Sequence, residues 1–185
     1  MKYLVLFGLL VPSWGFTAPI KFEPQGGAVE VLAIGKPSFI KIRGKGEPPK
    51  GELQVNGQKA SGHFEFQVAS LDTGIDLRNE HMRDNYLHTK EHPTAKLEIQ
   101  DLHLKEGWDP ARAKISETPF TGQLTLHGVT KPVSGKFSVG EKRDVKADFK
   151  IKLSDFNVEI PKYLGVTVAD EVNVEVKIAE LKEVK

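Results

Sequence analysis

The sequence predicts an all-β domain built from antiparallel sheets around one interior, with a single short helix. Three observations carry this. Most segments alternate apolar and polar residues with period two; only one stretch has helical spacing; and no Pro/Gly-rich linker is long enough to split the chain. Strands that are apolar on one face only belong in antiparallel sheets with one wet side. About eight such strands satisfy either a closed barrel or a sandwich, and an eight-stranded barrel either fills itself with side chains or holds one small ligand.

The chain opens with "MKYLVLFGLLVPSWGFTAP": one lysine, an apolar run from Tyr3 to Val11, then Ser13 and Gly15 at the minus-three and minus-one positions of a cut after Gly15. This predicts a secretory signal peptide over residues 1–15 and a single domain over 16–185. A cut after Ala18 fits less well, because Phe16 would fill the small minus-three position and Pro19 would follow the scissile bond. Removing residues 1–15 takes away Lys2 and no acid, so the net charge of +1 becomes 0. A neutral chain exerts no general pull on nucleic acid or an anionic membrane, so neither is expected as the main partner. No later stretch has membrane-spanning length. The chain has no cysteine, so it has neither disulfides nor thiol chemistry and depends on apolar burial.

The early segments "GAVEVLAI", "SFIKIR" and "GELQVNG" are short strands interrupted by "GKP" and "GKGEPP". In "GHFEFQVAS", Phe64, Phe66 and Val68 point one way and His63, Glu65 and Gln67 the other. "TAKLEIQDLH" repeats this with Ala95, Leu97 and Ile99. "EGWDPARAKISETP", Glu106–Pro119, reads as a loop with Trp108 as a packing anchor. "FTGQLTLHG" and "VSGKFSVG" form a hairpin around "HGVTKP". The clearest alternation comes last: Val145, Ala147, Phe149, Ile151 and Leu153 against intervening charges, then Val172, Val174, Val176 and Ile178 against Asn173, Glu175 and Lys177.

Between two strands lies "LDTGIDLRNEHMRDNYLHTKEHPTA", Leu71–Ala95. Leu77 with His81 and Met82 with Tyr86 are spaced four apart, which predicts a helix over 77–88, capped by Asp76 and followed by Pro93. On one continuous helix His81, His88 and His92 would share a face, with Glu80 or Glu91 near. The HExxH spacing is absent, however, which favours a structural role over a metal site. Ser70, Asp72 and His81 lack the GxSxG elbow of a hydrolase; the "DTG" of Asp72–Gly74 has no second copy to make an aspartic-protease pair. Phosphate-cradling glycine motifs are missing too.

Three separated motifs, Ser70–Ile99, "FTGQLTLHGVTKPVSG" (Phe120–Gly135) and "ADFKIKLSDFNVEIP" (Ala147–Pro161), resemble the YceI-like, polyisoprenoid-binding protein family over roughly residues 37–179. The resemblance implies an extended eight-stranded antiparallel lipocalin-like barrel, exported to the periplasm, whose elongated cavity holds a long isoprenoid, quinone-like or other lipid chain. It also implies that the segment after "LDTG" is a helix covering part of the barrel, and that neither a metal, a cofactor nor covalent catalysis is involved. Arg78–His81 stands at the family's RxxH region, and His92–Pro93 at its YP turn. The chain departs at the front, where an aspartate, a histidine and a serine are common, and at Leu153, which replaces a basic residue.

The expected function is therefore noncatalytic binding or carriage of a long-chain isoprenoid or other lipid; a homodimer is compatible with the sequence. Candidate wall residues are Phe64, Phe66, Leu97 and Phe120, together with Leu124, Phe149 and Val174. At the mouth, Tyr86 and Tyr163 offer hydroxyls, Arg78 and Arg83 offer charge-assisted bonds to a phosphate or quinone oxygen, and His81 offers a polar contact. The competing expectations are a filled barrel acting as a stress-response or interaction protein, and a periplasmic hydrolase. A long internal cavity discriminates against the first; convergence of Ser70, Asp72 and His81 in a pocket would favour the second.

Overall fold

The computed structural model describes residues 19–36, 40–104, 114–163 and 165–184, with Tyr163 described in its backbone alone. The leader over residues 1–15 and Trp108 lie outside the described residues. In chain order the elements are β1 (Ile20–Lys36), β2 (Lys41–Gly46), β3 (Lys50–Asn56), β4 (Lys59–Gln67), α1 (Asp76–His81), β5 (Thr94–His103), β6 (Ile115–Leu126), β7 (Val129–Val139), β8 (Val145–Lys152), β9 (Lys162–Tyr163) and β10 (Val166–Val184).

Eight of these close a barrel in the order β1-β3-β4-β5-β6-β7-β8-β10, because β1 pairs with β10 from Lys21↔Val184 to Lys36↔Thr167. Every ladder is antiparallel, and closure leaves the ring without a free edge. The remaining two strands extend one end. β2 pairs with Val29–Ile34 of β1, beyond the Ile20–Phe22 stretch that pairs with β3, and β9 pairs with Val166 and Thr167 of β10. Pro48 and Pro49 separate β2 from β3, as residues without a backbone N–H must. The far edge of β2 is met by a two-way backbone bridge between Lys45 and Asp72. Gly46 allows this close packing: a Cβ there would lie 2.6 Å from the Phe66 ring.

Two expectations need correcting. Glu106–Pro119 is not a loop throughout, since β6 already starts at Ile115 and Pro119 pairs with Lys136 of β7. A register shift between Ile115 and Thr118 breaks the alternation there, which hid the strand. Asp76 is the first helical residue rather than the cap: Ile75 holds the capping position and no side chain bonds there. The helical segment itself runs through α1 and one π-helical turn, Met82–Tyr86.

The two ends of the barrel are closed by different means. At one end Phe22, Val55, Ala60, Leu104, Ile115 and Val139 pack with Ile178 and Leu181 into a buried plug, Phe22 being only 2% exposed. At the other end, the crossover from β4 to β5 carries α1 across the opening. A second buried cluster lies on that side, with Phe156 at 1% exposure beneath Val158 and Leu153, against which Tyr86 and Leu87 of the crossover pack.

Candidate functional site

Between plug and crossover lies a cavity of about 620 Å³. Its wall comes from the inward faces of the strands, and the period-two pattern supplies it: Phe64 and Phe66 from β4, Leu97 from β5, Phe120 and Leu124 from β6, Phe149 from β8 and Val174 from β10 all line it. Phe64, Phe66, Leu97 and Ile99 are only half-buried although they face inward. Inward apolar side chains of a filled barrel would be packed by neighbours; these border open space. The Phe120 ring meets Phe149 and Phe137 edge-to-face, at centroid distances of 6.2 and 6.4 Å, which fixes part of the wall.

Among the described residues, polar lining is confined almost entirely to the crossover. Apart from Glu65 on β4, the described polar side chains bordering the cavity are Thr73, Arg78, His81 and Tyr86. Arg83 does not border it. The backbone of Tyr163 pairs with Val166, and the expected role of its hydroxyl lies outside the described residues. Sequence reasoning missed the lining from Ile40, just before β2, from Ile42 on β2, and from Leu71, Ile75 and Leu77 at the start of the crossover. The alternation of Ile40 and Ile42 with Lys41 and Arg43 was the available signal. Ile75 and Leu77 also stand 51% and 49% exposed, giving the mouth an apolar rim.

The "LDTG" turn moors the crossover. Asn79 is 5% exposed, and every polar atom of its amide is used: Nδ2 donates to Asp72 Oδ1 at 2.7 Å, while Oδ1 accepts from the Thr73 backbone N–H at 2.8 Å and from the Thr73 hydroxyl at 2.7 Å. Asp72 Oδ1 also accepts from the Gly74 backbone N–H at 2.7 Å. Arg78 closes the knot, donating from Nε to Thr73 Oγ1 and from Nη2 to the Thr73 carbonyl, at 2.8 and 2.7 Å. The Gly74 N–H, followed by the Asn79 amide, holds the Asp72 carboxyl below its ordinary range. "DTG" is thus a turn whose carboxylate is an acceptor for its own loop.

The hydrolase residues stay apart. The Ser70 hydroxyl donates to the Gln67 carbonyl at 2.6 Å and accepts from the Glu47 N–H at 3.1 Å; neither Ser70 nor Asp72 borders the cavity that His81 lines. The three histidines of the crossover also separate. His88 and His92 turn instead toward His127, a residue of the β6–β7 turn that sequence reasoning left out of the group. His127 Nε2 lies 3.0 Å from His88 Nδ1, His127 Nδ1 lies 3.1 Å from the Phe156 carbonyl oxygen, and the His92 ring stands edge-on to His127 at 4.8 Å. His88 and His127 have φ of +43° and +50°, in the left-handed region. His127 and Gly128, both at positive φ, form the two-residue hairpin loop joining Leu126 to Val129. Among the described residues no group of three or more His, Cys, Asp or Glu side chains is arranged to hold a metal ion.

Known proteins match this architecture. Over 102 residues, half of this chain, the sequence is 38% identical to the UPF0312 protein plu2095 of Photorhabdus laumondii subsp. laumondii. The match spans 48% of that relative, so the chain covers about half the length of the curated relatives it matches. The fold resembles that of Burkholderia cenocepacia BcnA, with a TM-score of 0.64 at 21% identity over 81% of this chain and 94% of BcnA. It also resembles a polyisoprenoid binding domain from Saccharophagus degradans, with a TM-score of 0.62 at 16% identity over 87% of this chain and 98% of that domain. A family model described as the YceI-like domain matches residues 23–179, a stretch running from the first barrel strand into the last, and the chain belongs to that family.

Proposed function

We propose that this protein binds a long apolar lipid of the polyisoprenoid or isoprenoid-quinone class in its barrel and performs no chemistry on it. The observation that carries the reading is the half-buried apolar wall: Phe64, Phe66, Leu97 and Ile99 face a cavity of about 620 Å³ instead of a packed core. Each methylene of a ligand moved from water into such a space is worth about 0.8 kcal/mol before ordering costs, so a long chain needs few polar contacts. The polar end belongs beside the crossover, where Arg78, His81 and Tyr86 border the cavity, with the tail directed toward the plug. The polyisoprenoid binding domain that shares this fold supports the choice of ligand class. The apolar leader supports export, and with the family resemblance it supports a periplasmic location.

The filled-barrel alternative accounts for the plugged end only. Native mass spectrometry of protein purified without detergent tests the proposal: one isoprenoid-class lipid per chain is expected, and a stoichiometrically empty protein would overturn it. Phe64→Asp and Phe149→Asp should each abolish loading or folding, since either buries a carboxylate against an apolar wall. Unchanged loading in both would show that these rings do not border the bound chain.

A further inference from the structure

We propose that His88, His92 and His127 form a protonation-sensitive latch that holds the crossover over the cavity and lets it lift in acid. The latch pins the end of the crossover to the neighbouring β6–β7 turn and, through Phe156, to the turn after β8. His88 and His92 belong to the turn that follows Tyr86 and Leu87, which line the cavity. The His88 carbonyl accepts from the N–H groups of Glu91 and His92, both at 2.9 Å, so the two rings are carried by one small turn. His127 belongs to the adjacent β6–β7 turn, which the Lys96↔Thr125 pairing sets beside the start of β5, and is bonded to the segment containing Leu153 and Val158; these two residues and Leu126, next to His127, also line the cavity.

The hydrogen bonds dictate the protons. The Phe156 carbonyl can only accept, so His127 Nδ1 carries a hydrogen and donates to it. In the neutral ring His127 Nε2 is then an acceptor, and His88 Nδ1–H must donate to it. One added proton is accommodated on the exposed His88 ring, whose Nδ1–H still donates to His127 and does so more strongly. A second proton has to enter at His127 Nε2, the acceptor of that bond. It sets N–H against N–H and charge against charge across 3.0 Å, and a charge on His92 adds repulsion at a centroid distance of 4.8 Å. The open form separates and hydrates the rings, binds more protons, and is therefore favoured as pH falls.

The surroundings offer little compensation. On the crossover, Asp84 is paired with Lys90 at 3.6 Å, and Arg83 and Glu91 are the other charged neighbours in sequence. The β6–β7 hairpin contributes the bonded hydroxyls of Thr125 and Thr130 and the cation of Lys131; the Leu153–Phe156 turn contributes Asp155. Among the described residues none of these carboxylates forms an ion pair with the three rings. His81 lines the cavity on the same crossover, outside the group of three rings.

The consequence for a bound lipid rests on the binding reading; the latch itself does not. Asn at 88 keeps a neutral donor, can turn its amide to accept, and tolerates the left-handed backbone, while leaving His81 in place. Amide hydrogen exchange of residues 82–92, corrected for intrinsic rates, is compared at about pH 8 and about pH 4.5, on either side of the ordinary histidine range. Release of a fluorescent prenyl-chain probe is followed in parallel. The wild type should open and release roughly tenfold more readily in acid, and His88→Asn should lose at least half of that change on a logarithmic scale relative to its own value at about pH 8. Exchange that is the same at both pH values in the wild type, a result needing no variant, overturns the latch. So does a His88→Asn protein that opens as fully in acid as the wild type. Acid opening in a protein that retains no probe at about pH 8 supports the latch and counts against the binding reading instead.

Discussion

The two ends of the barrel are built from the same strands and finished by opposite means. At the plugged end, eight apolar residues from β1, β3, β6, β7, β10 and their neighbours interdigitate until Phe22 is 2% exposed. At the lidded end, the same inward faces stop short of one another, and a polar-bonded crossover spans the gap. One end is held by close packing, which has no alternative arrangement of similar energy. The other is held by hydrogen bonds at each side of a short helix and by the packing of the half-buried Tyr86 and Leu87, and elements with so few buried contacts open at lower cost. A barrel that is solid at one end and tied shut at the other can admit a long molecule without unfolding.

The largest effect that would break this comparison is a deletion in the plug. Phe22→Ala should cost about 3–5 kcal/mol in urea unfolding, because it opens a void among packed neighbours. Leu97→Ala should cost only about 2 kcal/mol, the low end for such a change, since its side chain already borders the cavity and the added void counts for little. Equal losses would mean that the wall is as tightly packed as the plug.

A smaller effect sharpens the account of the lid. Asn79→Ala removes one donor and one acceptor from a buried knot, leaving the Thr73 N–H without its partner. It should cost about 1–3 kcal/mol, with faster hydrogen exchange over residues 76–86 and little change in the plug strands. Uniform acceleration across the barrel would show instead that the two ends are one cooperative unit.

The smallest effect concerns the wall that both ends share. On its outer face Glu30, Lys177, Glu175, Lys146 and Asp148 run as an ion-pair ladder across β1, β10 and β8. Hydrogen bonds from Lys146, then Lys177, lower the Glu175 pKa from 4.5 to about 2. A lowered carboxyl pKa contributes stability that is fully present above the unfolded value and is lost as pH falls through the folded one. This contribution should therefore fade between about pH 4.5 and about pH 2. Glu175→Gln should flatten stability over that window by about 1 kcal/mol or less, because the partners are largely exposed. Acid unfolding curves of the two proteins make the comparison.

How much of this could be read from the sequence differs between the ends in the same way. The strand faces were legible because period two needs only local information: Val145 to Leu153 and Val172 to Ile178 alternate without interruption. β1 was legible only from Gly27 on, since Pro24, Gly26 and Gly27 break its alternation while the ladder to β10 continues past them. The mooring of the crossover was not legible. Asp76 has the composition of a cap, yet the bonds are made by Asp72, Thr73 and Asn79 within a turn. His127 is 39 residues from His88, and only the pairing of β5 with β6 brings them together.

The central claim is that the space between plug and lid is where a long apolar chain resides. Ala147, on β8 opposite Phe137, lines that space and carries the smallest side chain on its part of the wall. Titration of a fluorescent prenyl-chain probe into the wild type and into Ala147→Phe, with the thermal midpoint of each, puts the claim to its most direct test. Saturable binding of one probe per chain to the wild type is expected. Binding should weaken by roughly tenfold or more in the variant, with the midpoint maintained, because the added ring takes up ligand space without disturbing the plug. Equal affinity in the two folded proteins, or no saturable binding to the wild type, would contradict it.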